Sequence, residues 1–181
     1  GFPRYVTHVL SSPTDQLQPE VRTQLYPKPG DKIDLEQPVL FNVAPKREIA
    51  IANTLLPNPY MLEQLAWRKD SKTFAFEFTQ RGHQHAKIIE VNADTGVARA
   101  EISEDAKTFI FQDRGFWHDV KDGAGEAIWL SERDGWAHLY VYDGKTGQVK
   151  NKITSGDWPI RHVEHVDDDK RRIWFAASGM D

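Results

Sequence analysis

Cysteine is absent from the 181 residues, which excludes disulfides, thiolate metal centres and a cysteine nucleophile. That absence leaves the compartment open, and export to a periplasm or to the cell exterior remains compatible with it. No apolar run approaches the roughly 20 residues that cross a bilayer. Nor does the N-terminus offer a basic segment followed by an apolar core, so no signal peptide is visible. A basic excess is also missing: the net charge is −4, and nothing in it points to nucleic acid. The string G-x-S-x-G, which seats a serine nucleophile on a strained strand-to-helix turn, does not occur. No sustained 3.6-residue apolar rhythm is found either, so helices are not expected to dominate. What is present suits strands. Hydrophobic residues make up 39% and aromatic residues 11%, including six Trp, enough for a real core.

Residues 86–96, AKIIEVNADTG, are echoed 51 positions later by residues 137–147, AHLYVYDGKTG. Ala86 meets Ala137, Ile88 meets Leu139, Ile89 meets Tyr140, Val91 meets Tyr142, and Thr95-Gly96 meets Thr146-Gly147. The echo continues where Ile102-Ser103 meets Ile153-Thr154. A strand, a polar turn and a second strand at this period mark a β-propeller, whose blades run about 40–50 residues. Period-2 alternation supports it, with Phe74, Phe76 and Phe78 on one face of residues 72–79. Asp- and Gly-rich turns at residues 94–96, 122–125, 134–135, 143–147 and 167–170 separate the strands.

The expected fold is therefore all-β, a partial propeller of antiparallel four-stranded blades. Strands are predicted near 60–67, 73–79, 86–92 and 97–103, then near 115–120, 126–131, 137–142 and 148–154. Further strands fall near 39–43, 47–52, 159–166 and 171–177. Residues 98–107 also admit a turn or two of helix. Residues 11–38, with Pro13, Pro19, Pro27, Pro29 and Pro38, read as a long loop, because proline cannot complete a ladder. The domain scheme is a partial blade with a Pro-rich loop over 1–59, blades over 60–108 and 109–157, and the start of a blade over 158–181. A closed propeller takes about four blades or more. Two whole blades and two partial ones would leave blade faces open, which predicts self-association and suggests a piece of a larger object.

Leu65-Ala66-Trp67-Arg68-Lys69-Asp70-Ser71-Lys72-Thr73-Phe74-Ala75-Phe76 resembles the W-x-x-D-[GS]-K blade motif common among propellers. Tyr26-Pro27-Lys28-Pro29-Gly30 resembles the Y-P-K-A-G element of the dipeptidyl peptidase IV propeller. Ser131-Glu132-Arg133-Asp134-Gly135-Trp136-Ala137-His138-Leu139-Tyr140 resembles that family's S-E-R-D-G-[WY]-x-H-[LI]-Y blade edge. Ile153-Thr154-Ser155-Gly156-Asp157-Trp158 is similar to its I-T-x-G-x-W closing segment. The resemblance spans essentially the whole chain. It implies a propeller capping an α/β-hydrolase partner domain, whose Ser-Asp-His triad removes dipeptides from short peptides. It implies no catalytic residue and no cofactor in these residues, and the family's ammonium-binding glutamates would precede residue 1. The parent would be a serine-type dipeptidyl peptidase, and the 181 residues alone are expected to be inactive. An aromatic–arginine pair facing the substrate cavity is also implied, here Phe111 and Arg114; an ordinary blade strand with a solvated arginine is the other reading. A binding propeller without a peptidase, and a hydrolase that has lost its nucleophile, remain open alternatives.

Other polar clusters read more simply. His83 and His85 share a side of a strand but have no third ligand nearby, so an exposed hairpin tip accounts for them. Alternation puts His162 and Glu164 on one face and His165 opposite, which breaks a zinc set. Asp167-Asp168-Asp169 precedes Lys170, Arg171 and Arg172 and reads as a hairpin turn rather than a calcium loop. No metal site is expected. The tryptophans at 67, 117, 129, 136, 158 and 174 are expected to pack between blades rather than to stack on sugars.

Overall fold

The computed structural model describes residues 4–28, 30–32, 34–111 and 115–179. Fourteen strands and one turn of 3-10 helix, Asn53–Leu55, are found among the described residues. The chain divides into two units, Gly1–Leu35 and Glu36–Asp181.

The first unit is built on the hairpin of β1 (Tyr5–Leu10) and β2 (Glu20–Leu25), paired antiparallel through six residues from Tyr5 with Leu25 to Leu10 with Glu20. The stretch expected to be loop throughout residues 11–38 thus contains a strand. The prolines do not prevent it, because Pro19 and Pro27 flank E-V-R-T-Q-L without entering it. Downstream, the Asp31 carboxylate reaches back along the chain: its Oδ2 accepts the Lys28 N–H at 2.8 Å and its Oδ1 pairs with Arg4 at 3.1 Å.

The second unit holds the propeller elements. β3 (Leu40–Asn42) and β4 (Arg47–Ile49) form a hairpin. β5 (Pro59–Trp67), β6 (Thr73–Gln80), β7 (His85–Asn92) and β8 (Ala98–Asp105) form a four-stranded antiparallel sheet in chain order. β9 (Trp117–Val120), β10 (Glu126–Ser131), β11 (His138–Asp143) and β12 (Val149–Lys152) repeat it, and β13 (Ile160–Asp167) pairs with β14 (Arg172–Ala177). The helical option at 98–107 gives way to strand β8, which pairs with β7 along its length.

Three apolar clusters lie where these sheets face one another. Phe74, Phe76, Phe78, Ile89 and Val91 meet Leu40 and Ile49 of the β3–β4 hairpin. From the opposite face of the same sheet, Ala75, Ala86, Ile88 and Ile102 meet Ala127, Trp129, Tyr140 and Tyr142. The far face of that second sheet, with Ile128, Leu130 and Leu139, meets Ile160, Val163, Ile173 and Phe175. The echo therefore keeps its facing. Ile89 and Val91, like Tyr140 and Tyr142, look toward the preceding sheet, whereas Ile88 and Leu139 look toward the following one. Of the tryptophans, Trp129 is buried, and Trp117 and Trp158 pack against clusters, but Trp67, Trp136 and Trp174 stay about half exposed.

The turn that carries the echo is the same object twice. Asn92 Oδ1 accepts the N–H groups of Asp94 and Thr95, and Gly96 N–H returns to the Asn92 carbonyl at 2.9 Å. Asp143 Oδ1 accepts those of Lys145 and Thr146, and Gly147 returns to the Asp143 carbonyl at 2.8 Å. Both glycines are left-handed, at φ 71° and 70°. Each also lies against the preceding sheet's chain: a Cβ on Gly96 would run into the Ala50 carbonyl, and one on Gly147 would sit 3.3 Å from that of Glu101.

Glu77 departs from this apolar plan. It is 4% exposed on β6, directly opposite Glu63 of β5. Its Oε2 accepts from Gln64 Nε2 at 3.0 Å, at a bulge where Gln64 has φ 53°, and its Oε1 is buried with no partner. Burial, then the Glu63 charge, pushes its carboxyl up to about 7.

Two outcomes follow for stability. Gly96→Ala is expected to lower it by roughly 2–3 kcal/mol, from left-handed strain plus the Ala50 clash, and Gly147→Ala by less, about 1 kcal/mol, from the same strain with only mild crowding of the Glu101 carbonyl. Equal losses in denaturant titrations would contradict the contact with Ala50. Because the folded Glu77 value lies above the free value of 4.5, its contribution is complete below that pH and is lost as pH rises through about 7. Wild type should lose roughly 3 kcal/mol relative to Glu77→Gln across that window; parallel stability curves for the two proteins would refute the assignment.

Candidate functional site

After β8 the chain runs through residues 106–116 before β9, and this connector is pinned to the β6–β7 turn. Ala106 N–H donates to the Gln84 carbonyl at 2.9 Å, Gln84 Nε2 to the Lys107 carbonyl at 3.0 Å, and Ile110 N–H to the His83 carbonyl at 2.6 Å. His83 stands between Tyr60 and Phe109, with ring centroids 4.5 and 4.6 Å away. The expected exposed hairpin tip is thus a wedge holding the connector. His85 turns instead to Asp105 at 2.6 Å.

Between the connector and the β10–β11 turn lies a cleft of about 560 Å³. Phe109, Ile110 and Phe111 supply an apolar wall, and Glu104, Ser131 and Arg133 a polar one. Phe111 borders this cleft, 43% exposed; Arg114, expected with it to face a substrate cavity, lies outside the described residues.

The polar wall is a closed network. Glu104, on the Ile102 side of β8 and 6% exposed, accepts from Ser131 Oγ at 2.5 Å and from Arg133 Nη2. Arg133 Nε donates to Ser131 Oγ at 2.9 Å, and Nη2 also meets the Tyr142 hydroxyl. The guanidinium lies 4.6 Å over the Tyr140 ring. Tyr140 donates to Asp134 Oδ2 at 3.0 Å, and Lys152 pairs with the same carboxylate. Burial, followed by the bond to Asp134, pushes the Tyr140 phenol up to about 12, so it stays a donor. Burial of the Asp134 carboxyl is outweighed by Lys152 and Tyr140, which hold it below the usual range.

Sequence reasoning did not single out Glu104, Ser131 or Arg133 as site residues. Ser131 and Arg133 sit in the quoted S-E-R-D-G stretch, and Glu104 could have been found from its place two residues beyond Ile102 on a buried face. His138, further along that stretch, is buried. Its Nε2 donates to the Gly156 carbonyl at 3.0 Å, and its Nδ1 faces the Thr154 hydroxyl at 3.0 Å. The second family-like stretch is thereby tied to the third.

Two further imidazoles are engaged elsewhere. His118 Nε2 meets Asp168 at 2.8 Å, and His162 meets Glu164 at 2.6 Å. Among the described residues no three of His, Asp and Glu gather as a metal site, and no serine hydroxyl bonds a histidine. Within the cleft wall the Ser131 hydroxyl is taken up by Glu104 and Arg133.

Comparison with known proteins shows what the chain is similar to. The model of the dipeptidyl peptidase IV N-terminal region matches residues 5–181. Dipeptidyl peptidase 4 of Trichophyton rubrum is 24% identical over 181 residues, covering 98% of this chain and 23% of the relative. That of Arthroderma otae is 25% identical, covering 97% and 23%. The crystal structure of Porphyromonas gingivalis dipeptidyl peptidase 4 is similar with a TM-score of 0.73 and 24% identity, over 96% of this chain and 24% of that one. The chain thus spans about a quarter of the length of the curated relatives it matches.

The network makes a sharp energetic statement. Arg133→Met should cost about 2–3 kcal/mol by leaving the Glu104 carboxylate buried and unpaired, whereas Arg133→Met with Glu104→Leu should recover most of that loss. Additive losses in a double-mutant cycle would show that the two side chains are not coupled.

Proposed function

The chain belongs to the dipeptidyl peptidase IV N-terminal region family, and on that footing we propose that it is the non-catalytic propeller portion of a serine exopeptidase that removes dipeptides from peptide N-termini. Its work in the full-length protein is to gate and to orient. A propeller over a hydrolase cleft admits short, flexible peptides and turns away folded chains, and its loops hold the peptide near the reacting groups. The observation that carries the reading is the family match across residues 5–181 on a chain with two four-stranded blades. The cleft beside Phe111 supports an orienting role, with Phe111 and Arg114 as the pair lining the substrate cavity. The partner in this reading is an α/β-hydrolase domain of the same parent. A binding propeller with no active peptidase is the rival.

An assay of the full-length protein on a Gly-Pro chromogenic substrate, on graded peptides and on folded proteins separates these. Dipeptide release from short peptides is expected, at least 100-fold slower release from folded proteins, and none from the 181 residues alone. Phe111→Ala should raise KM several-fold. No release by the full-length protein would favour the rival, and comparable cleavage of folded proteins would end the gating role.

A further inference from the structure

The two joints on either side of the β9–β12 sheet are built alike but covered differently. In the earlier one, Ala127 and Trp129 of β10 and Tyr140 and Tyr142 of β11 pack on Ile88 and Ile102. In the later one, β14 plays the part of β10. The offset that carries Asp122 onto Asp168, the turn carboxylates that each accept a lysine N–H from the preceding sheet, also carries Ala127 onto Ile173 and Trp129 onto Phe175. Ile173 and Phe175 accordingly pack against the cluster of Ile128, Leu130 and Leu139. Among the described residues, β14 pairs with β13 alone. Beside it, where β11 stands in the earlier joint, runs a groove of about 370 Å³. Val141 and Ile153 wall it on one side, and Val166, Ile173 and Phe175 on the other. The echo measures the difference: Ile102 is fully buried, whereas its counterpart Ile153 is 38% exposed.

The strand that covers the earlier joint says what fits the later one. Tyr142 lies opposite Ala127 and Tyr140 opposite Trp129 in an antiparallel ladder. A strand laid along β14 in the same register puts two rings opposite Ile173 and Phe175. Its backbone meets the N–H and C=O groups of an edge strand, which supplies affinity, and its rings enter the groove, which supplies selectivity. Charge adds a third requirement. Asp143 follows Tyr142 and lies opposite Glu126; the same offset puts Arg172 in the place of Glu126, so an acid there gains an opposite-charge cross-strand pair. The other charged groups on the groove are bound already, Asp167 to Lys170, Asp168 to His118 and Arg171 to Glu126. We infer that the groove is a strand-acceptor site. It takes an extended segment of the pattern ring, any residue, ring, acid, antiparallel to β14, and the occupant in the full-length protein is the third strand of the same sheet. The 181 residues span about a quarter of their relatives' length, so a parent of that size has chain to supply it. This goes beyond the peptidase reading and rests on it only for that parent as the source of the strand.

The probe is the acetylated and amidated octapeptide Ala-His-Leu-Tyr-Val-Tyr-Asp-Gly, the sequence of residues 137–144. Titrated into the 181-residue protein it should bind saturably, and amide hydrogen exchange along β14 should slow at least tenfold. The same peptide with serine at both tyrosine positions should bind at least tenfold more weakly, and one with lysine for aspartate at least threefold more weakly. Ile153→Lys, on the open part of the groove wall, should weaken binding at least tenfold. Arg172→Glu should invert the preference between the aspartate and lysine peptides, a result that loss of folding cannot imitate. The full-length protein, with its own strand in place, should bind the octapeptide at least a hundredfold more weakly. Equal binding of the serine peptide, unchanged exchange along β14, or a full-length protein that binds as tightly overturns the inference. So does a dimer of the 181 residues in which β14 is protected without any peptide, since the occupant is then a second copy. A full-length protein that releases no dipeptides yet excludes the octapeptide fails the peptidase reading alone; an active one that binds it tightly fails this inference alone.

Discussion

A β-sheet with apolar side chains on both faces cannot stand against water on either, and this constraint governs the second unit of the chain. In β6 the alternation is phenylalanine against alanine: Phe74, Phe76 and Phe78 fill one joint, and Ala75 enters the next. Both faces are buried, with six central β6 residues from Phe74 to Thr79 excluded from solvent. Burying a large apolar side chain contributes on the order of 2 kcal/mol, so a face left bare costs more than the marginal stability of a domain allows. The small side chains of Ala75, Ala86 and Ala127 on one joint leave room for Trp129, Tyr140 and Tyr142 from the facing sheet. Size complementarity rather than a shared hydrophobic pool sets the spacing there.

Apolar faces alone would let neighbouring sheets slide, and polar contacts at their rims fix the register. Just past the first strand of one sheet, Lys69 N–H donates to Asp122 Oδ2 at 2.9 Å. Just past the first strand of the next, Lys121 N–H donates to Asp168 Oδ2 at 2.8 Å. In each case the acceptor lies in the first hairpin turn of the following sheet. Arg68 strengthens the earlier joint, buried at 7% exposure and paired with Glu90, Glu101 and Asp119. Burial raises the Glu101 carboxyl, against the pull of Arg68. The Glu104–Arg133 network belongs to the same joint, since it runs from β8 to β10 and β11. What distinguishes it is position: it ends at a cleft.

Much of this was legible because it repeats. The pairing of Ile89 with Tyr140 and of Ile88 with Leu139 in the echo predicts which joint each side chain enters, since a strand places alternate residues on opposite faces. The Thr-Gly pairs mark turns that proved the same in hydrogen bonding and in φ. Where nothing repeats, the reading weakened. Strand β2 was lost among prolines that only flank it. Glu104 went unremarked because a lone glutamate on a strand carries no local sign of the arginine 29 residues later that it meets. His83 looked like an exposed tip because its stacking partners, Tyr60 and Phe109, come from different elements.

The cleft follows from the joints rather than from a motif. Chain passing from one blade to the next must leave the sheet edge and cross the rim, and here His83 and Gln84 hold that crossing segment against the earlier sheet. The β10–β11 turn of the later sheet is held separately, through Ser131 and Arg133, to Glu104. Two segments fixed to the same sheet at different points leave a gap between them, and their side chains decide its character: phenylalanines on the crossing segment, a spoken-for guanidinium on the turn. Neither wall can move without breaking contacts that also set blade register. The site is therefore pre-organised by the same interactions that stack the blades, which is the arrangement an orienting surface requires.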